Sequence, residues 1–279
     1  MMRIEQLLAQ AEHIDSPTAQ LDAELLLAFV LDKPRSYLYT WPEKTLTTAQ
    51  LNSFAALLER RKRGEPVAYL LGRQGFWTLD LAVAAHTLIP RADTELLVEA
   101  VLQLADASAA LNILDLGTGS GALALAVASE RQCWQVTGVD RIEAAVALAQ
   151  DNQQQLGLSN VRFLRSDWFS AVAHQRYDLI LSNPPYIAAN DPHLQQGDVR
   201  FEPLSALVSG ADGLDDIRLI IAQAPEYLTA NGWLLLEHGF DQAAAVRELL
   251  HLSGFTEVSS QRDLGGHERI SLGRLPSLS

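Results

Sequence analysis

The chain has 279 residues, 48% of them hydrophobic, and 34 acidic against 21 basic side chains give a formal net charge of −13. That length holds one large domain or two smaller ones, while the acidic balance argues against duplex nucleic acid as the default partner, because such binding rests on neutralising phosphates. The single cysteine, Cys133, excludes an internal disulfide. Together with the lack of any apolar run near the roughly 18 residues that span a bilayer, and of a charged-then-apolar leader at Met1-Met2-Arg3-Ile4-Glu5-Gln6, it sets the expectation of a soluble, cytoplasmic protein.

Residues 1–74 read as a helical domain. Arg3 to Ala11 places Ile4, Leu7 and Leu8 on one face, and Ala19 to Leu31 puts Leu21, Leu25, Ala28 and Phe29 on one stripe. Thr47 or Thr48 can cap a helix through Leu51, Phe54, Leu57 and Leu58. The domain has no glycine-rich loop and no His/Cys set at metal spacing, so docking is its expected task. The one basic cluster, Arg60-Arg61-Lys62-Arg63, reads either as a solvated helix end complementing the helix dipole or as contact with an acidic partner or RNA.

Residues 75–90, beginning Gly75-Phe76-Trp77-Thr78-Leu79-Asp80, partly alternate and read as a hairpin or linker. The catalytic part is expected over 91–279, opening with a helix that Asp93 caps and that runs through Leu96, Leu97, Ala100, Val101 and Leu104. Strands at Asn112–Leu116, Gln135–Asp140, Val161–Ser166, Tyr177–Asn183 and Gly232–His238 then alternate with helices at Ala122–Glu130, Ile142–Leu156 and about Leu214–Leu228. A helix at Gln242–Leu252 and two strands, Thr256–Arg262 and Glu268–Leu272, follow. The short link between those strands makes them a hairpin with one strand antiparallel. The alternation predicts an α/β fold, a mainly parallel sheet with helices on both faces.

Three stretches carry chemistry. Asn112-Ile113-Leu114-Asp115-Leu116-Gly117-Thr118-Gly119-Ser120-Gly121 is a strand, a glycine turn and a helix start. Its Gly-x-Gly-x-Gly spacing differs from the dinucleotide fingerprint, but its exposed N–H groups suit a carboxylate. Nineteen positions beyond Gly121, Asp140 ends the second strand, where a carboxylate can accept from both hydroxyls of a ribose or cap the next helix. After the third strand, Asp167-Trp168 offers an acceptor for an adenine amino group and a face to stack on its ring, and Asp115 is expected to orient the loop.

The third stretch is Leu179-Ile180-Leu181-Ser182-Asn183-Pro184-Pro185-Tyr186. Pro184 can neither donate to a ladder nor continue a helix, so the chain leaves the sheet at Asn183, on the edge where open α/β sheets bind ligands. An amide or arylamine nitrogen is a poor nucleophile because its lone pair is delocalised. Acceptors from the Asn183 side-chain oxygen and the Pro184 carbonyl can fix both N–H groups, Pro185 stiffens the loop, and Tyr186 can lie flat on the planar group. Chemistry of this kind rests on positioning and calls for no metal.

Asn-Pro-Pro-Tyr after a strand resembles the signature of S-adenosylmethionine-dependent methyltransferases acting on planar amino groups, and the sheet resembles their Rossmann-like, class I fold. The chain is further similar, over essentially its whole length, to the bacterial HemK/PrmC family of release-factor glutamine N5-methyltransferases. The similarity rests on the helical N-terminal domain, the linker Ile89-Pro90-Arg91-Ala92-Asp93-Thr94-Glu95, the glycine loop, Asn183-Pro184-Pro185-Tyr186-Ile187, the segment Asp198-Val199-Arg200-Phe201-Glu202-Pro203 through Gly213-Leu214, and the ending Gly265-Gly266-His267-Glu268-Arg269-Ile270. Ala92 departs from the family, which usually has a second proline there.

That resemblance implies methylation of the glutamine amide in the Gly-Gly-Gln tripeptide of class 1 peptide chain release factors, with S-adenosyl-L-methionine consumed and S-adenosyl-L-homocysteine released. It implies cofactor contacts at Gly117, Thr118, Gly119, Ser120, Gly121, Asp140, Trp168 and Asn183, and catalytic and substrate contacts at Asn183, Pro184, Pro185 and Tyr186. A monomer without stable nucleic-acid or membrane binding is expected. A ribosomal-protein glutamine methyltransferase and an RNA or DNA adenine N6-methyltransferase are the competing readings.

Overall fold

The computed structural model describes residues 2–277 and divides into two compact units, one of residues up to Arg73 together with Pro192–Phe201, the other of Gln74–Asp191 and Glu202 onward.

The first unit is helical: α1 (Ile4–Leu8), α2 (Ala19–Leu31), α3 (Arg35–Thr40), α4 (Thr48–Lys62) and α5 (Val67–Leu71). Its core gathers Ile4, Leu7, Leu26, Leu27, Leu38, Phe54 and Leu58. The helix expected over Arg3 to Ala11 is α1 followed by a 3-10 turn, Ala9–His13. Thr47 is the cap of α4: its hydroxyl accepts from Gln50 N at 3.3 Å while Gln50 Oε1 accepts from Thr47 N at 3.0 Å.

The basic cluster at the end of α4 is largely consumed inside this unit. Arg61 is buried, donating to Asp22 Oδ2 and Asp198 Oδ1 at 2.8 Å each and to the carbonyls of Gly64 and Glu65. Arg60 grips Glu65 with two hydrogen bonds and Lys62 pairs with Glu59 at 2.9 Å. Arg60, within its pair, and Arg63 are exposed. Asp198 arrives on the excursion Pro192–Phe201, so a segment lying between catalytic stretches in sequence completes an ion triad around the buried Arg61 of the helical unit.

The second unit begins in the two-stranded sheet of β1 (Arg73–Phe76) and β2 (Leu79–Ala82), followed by α6 (Glu95–Leu104). Then come β3 (Asn112–Leu116), α7 (Ala122–Glu130), β4 (Gln135–Asp140), α8 (Glu143–Leu156), β5 (Val161–Arg165), β6 (Tyr177–Ser182), α9 (Asp215–Gln223), β7 (Leu228–Glu237), α10 (Ala243–Leu252), β8 (Thr256–Arg262) and β9 (Glu268–Arg274). The main sheet has seven strands in the order β5-β4-β3-β6-β7-β9-β8, parallel except for β9, which runs antiparallel to both neighbours. The central strands are apolar nearly throughout because both faces are covered, one by the core around Val98, Val101, Leu125 and Phe163, the other by that around Ile180, Ile217, Ile220 and Val246.

Two helix expectations are corrected. Asp93 does not cap α6: it lies inside a 3-10 turn, Ala92–Thr94, and pairs with Arg269 at 3.5 Å. The helix expected to reach Leu228 stops at Gln223 and a 3-10 turn carrying Pro225 follows, since proline lacks the N–H to continue the ladder. β7 accordingly starts four residues before Gly232, with Leu228 opposite Tyr177.

Candidate active site

Strand order places the site. From β3 the chain turns to β4 and β5 on one side, whereas β6 and β7 lie on the other, so the switch point falls between β3 and β6. Leu116 and Ser182 are register partners there, and Ser182 Oγ donates to Leu116 O at 2.7 Å. The glycine loop and the Asn-Pro-Pro-Tyr loop therefore leave adjacent strands at one edge. The cleft between them is lined by Gly117, Thr118, Gly119, Ser120, Asp140, Trp168, Asn183 and Pro185. Gly121, Pro184 and Tyr186 are not in its walls among the described residues.

Gly121 instead starts α7 at φ +86°, where an added Cβ would press within 3.1 Å of Leu125, Phe163 and Ala149. The loop is held from outside as well. Gly117 N and Thr118 N donate to Val139 O, and Asn152 of α8 donates to Ser120 O at 2.9 Å while bonding both backbone groups of Ala82. Asp140 Oδ2 accepts from Gly119 N at 3.0 Å and Oδ1 from Ile142 N at 2.8 Å, so the helix-start contact and the loop contact coexist in one carboxylate. Each oxygen keeps a further lone pair for a ligand.

Trp168 adopts φ +45°, a left-handed conformation costly for a bulky residue. Ser166 holds it there, its hydroxyl donating to Trp168 O at 2.7 Å and accepting from Ala171 N. The indole consequently faces Gly117. Asp115 is fully buried beneath the loop. Thr118 donates to its Oδ2 at 2.6 Å, Oδ1 has no partner, and burial pushes its carboxyl up to about 7.

On the other loop, Asn183 Nδ2 donates to Thr94 Oγ1 at 3.0 Å. Tyr186 turns its hydroxyl to Glu237 Oε1 at 3.2 Å and packs against the core beneath α9. Burial raises the phenol and pushes the Glu237 carboxyl up to about 7, with the Thr94 and Tyr186 hydroxyls pulling that carboxyl back down. The Tyr186 carbonyl accepts from Gln242 Nε2 at 3.0 Å, and Gly213 passes so close that an added Cβ would lie 2.2 Å from it.

Sequence reasoning missed four residues around the cleft: Thr94, Glu237, Arg91 and Glu202. Arg91, in the cleft wall, is paired with the buried Glu202, which also accepts from Ile89 N at 3.1 Å. This contact joins the Ile-Pro-Arg linker to the 198–214 segment. The available signal was a carboxylate inside otherwise apolar or Pro-rich surroundings, as with Glu237 after Leu234-Leu235-Leu236.

Residues 2–72 match the family model described as "PrmC N-terminal domain", and residues 89–198 match "Methyltransferase small domain". The chain is 61% identical to the release factor glutamine methyltransferase of Pseudomonas aeruginosa, covering 96% of this chain and 97% of the relative. It is 52% identical to that of Xylella fastidiosa strain 9a5c, covering 92% and 94%. Among solved structures, a T. thermophilus 16S rRNA methyltransferase (RsmC) in complex with AdoMet and guanosine aligns with a TM-score of 0.52 at 20% identity, over 73% of this chain and 49% of that one. The last likeness speaks to the fold: a class I methyltransferase sheet. By its near full-length identity to these relatives, the chain belongs to the release factor glutamine methyltransferase family.

Proposed function

We propose that this protein transfers the methyl group of S-adenosyl-L-methionine to the side-chain amide nitrogen of the glutamine in the Gly-Gly-Gln segment of class 1 peptide chain release factors. The observation that carries the reading is Asn183, at the end of β6 and tied through Nδ2 to Thr94, with its Oδ1 left to accept from a substrate N–H beside the glycine loop.

The cleft's own residues fit the cofactor. The Asp115 Oδ1 atom, buried and unpaired, suits an ammonium. Asp140 has lone pairs for two hydroxyls, and Trp168 offers a face to a planar ring. When bound, S-adenosylmethionine supplies a methyl already activated by its sulfonium. The protein's work is then positioning. Asn183 Oδ1 and the Pro184 carbonyl accept the two N–H groups of the substrate amide and turn its nitrogen toward the methyl carbon. Pro185 stiffens the loop, and Tyr186 supports it from behind. Transfer would form the nitrogen–carbon bond with S-adenosyl-L-homocysteine as the leaving group and one N–H proton lost to solvent.

The absorption of Arg60, Arg61 and Lys62 into ion pairs supports a protein rather than a nucleic-acid substrate. Incubation with labelled S-adenosylmethionine and, separately, a release factor, ribosomal proteins, tRNA and DNA tests this. Label is expected in the release factor; label in ribosomal protein or nucleic acid but not in release factor would overturn the reading.

A further inference from the structure

Behind the substrate loop lies a chain of polar groups that the reaction itself does not call for. Glu237, at the end of β7, is buried among leucines, an expensive place for a carboxylate. Its Oε1 accepts from Tyr186 Oη at 3.2 Å, its Oε2 is buried with no hydrogen-bond partner, and the neighbouring Thr94 hydroxyl favours its charged form. Thr94 Oγ1 in turn accepts from Asn183 Nδ2 at 3.0 Å. The charged groups facing Glu237 from neighbouring elements are Arg269 of β9 and Asp93 of the turn before α6, which pair with each other at 3.5 Å.

An ionised carboxylate only accepts hydrogen bonds, and a threonine hydroxyl has one proton to give. If that proton goes to Glu237, Thr94 can meet Asn183 only as an acceptor, and the Asn183 amide must then present Nδ2 to Thr94 and Oδ1 to the cleft. A flipped amide would offer N–H to a substrate N–H and repel it.

We propose that Glu237 and Thr94 are positioning residues that lock the Asn183 amide with its oxygen toward the substrate, making the cleft selective for a group that donates N–H. The proposal rests on the amide-methylation reading above. Glu237 does not touch the substrate; it acts through Thr94, and its contact with Tyr186 ties both ends of the Asn183–Tyr186 loop to one carboxylate.

The test combines a measurement independent of turnover with kinetics. In the cofactor-free wild-type chain, the Asn183 side-chain NH2 signals, assigned by their absence in N183D, are followed by 15N NMR across pH 5 to 9. Retarded solvent exchange and a chemical-shift change that disappears in Glu237→Gln are expected. Fast exchange with no such change would overturn the proposal, whatever the substrate is. In the methylation assay, Thr94→Val is expected to lower kcat about 10- to 100-fold, with KM for release factor and affinity for S-adenosylhomocysteine within about threefold, and Thr94→Ser to restore kcat to within about threefold. Full kcat in Thr94→Val would equally sink the relay while leaving the proposed reaction intact. If the wild type methylates no release factor, the reaction reading fails and the NMR result still decides the relay. A Thr94→Val chain that does not fold leaves the decision to Glu237→Gln, whose kcat should lose any rise with pH through neutrality; an unaltered pH profile counts against the relay.

Discussion

Asn183 Nδ2 donates to Thr94 Oγ1 across 3.0 Å, joining the end of β6 to the turn that opens α6. The two residues are 89 positions apart in the chain. With the Thr94 proton given to Glu237, as proposed above, this contact leaves the Asn183 amide one way to face the cleft, which is what a site for a donor nitrogen requires.

Replacing Asn183 with alanine removes the acceptor while leaving the glycine loop, Asp140 and Trp168 in place. Methyl transfer is expected to fall at least about 100-fold, whereas S-adenosylhomocysteine binding, measured by calorimetry, changes little. Full turnover in this variant would remove Asn183 from the chemistry.

Asp140→Ala acts on the other half of the site. It deletes acceptors for Gly119 N and Ile142 N as well as the lone pairs offered to a ribose. Hydrogen bonds to a charged group contribute about 1.5–3 kcal/mol, so affinity for S-adenosylhomocysteine should drop roughly 10- to 100-fold. An unchanged affinity would place the ribose elsewhere.

Stability should depend on pH through Asp115 and Glu237. Burial raises both carboxyls to about 7 from their ordinary values of 3.8 and 4.5. The folded chain then holds protons that the unfolded chain has released, so stability is highest below the unfolded values and falls as pH rises from 3.8 to about 7. The cost is about 3 to 4 kcal/mol per group. Urea midpoints across that window should fall, and Asp115→Asn or Glu237→Gln should flatten the slope. A rising wild-type midpoint would show that other groups dominate.

Gly213→Ala probes the bracing of the substrate loop. At φ +78°, with the Tyr186 carbonyl 2.2 Å from the would-be Cβ, the side chain must displace Tyr186 or move its own turn. A stability loss of about 1–3 kcal/mol and at least a tenfold drop in kcat are expected from thermal unfolding and the methylation assay. A neutral outcome would mean that the loop yields freely.

Arg61→Ala leaves Asp22 buried without its cation and Asp198 without its anchor. Breaking a buried pair from one side costs roughly 3–5 kcal/mol, so denaturation of the helical unit should shift strongly. Arg63→Ala, at an exposed site, should stay within about 0.5 kcal/mol.

The parts of the fold visible in the sequence are those set by local physics. β3, α7 and β4 have the bounds that apolar runs, glycines and the Asp140 terminus indicate, because each is punctuated by residues with one conformational use. The Asn183 loop was legible for the same reason, through Pro184 and Pro185. Thr94 and Glu237 were not: each is an ordinary residue in its own stretch and acquires meaning only when β6, β7 and the turn before α6 come together. Asp198 carries a second lesson. Flanked by catalytic segments, it belongs by its contacts to the helical unit, because a buried guanidinium there needs a second carboxylate. Asp93 failed as a cap because Thr94 takes the N-cap position of α6, and Arg269 claims its carboxylate.

The most direct measurement is peptide mapping by mass spectrometry of a class 1 release factor before and after incubation with this protein and S-adenosylmethionine. One added methyl on the amide nitrogen of the Gly-Gly-Gln glutamine, absent with Asn183→Ala, is the expected result. A methyl on any other residue, or an unmodified release factor alongside labelled ribosomal protein, RNA or DNA, would contradict it.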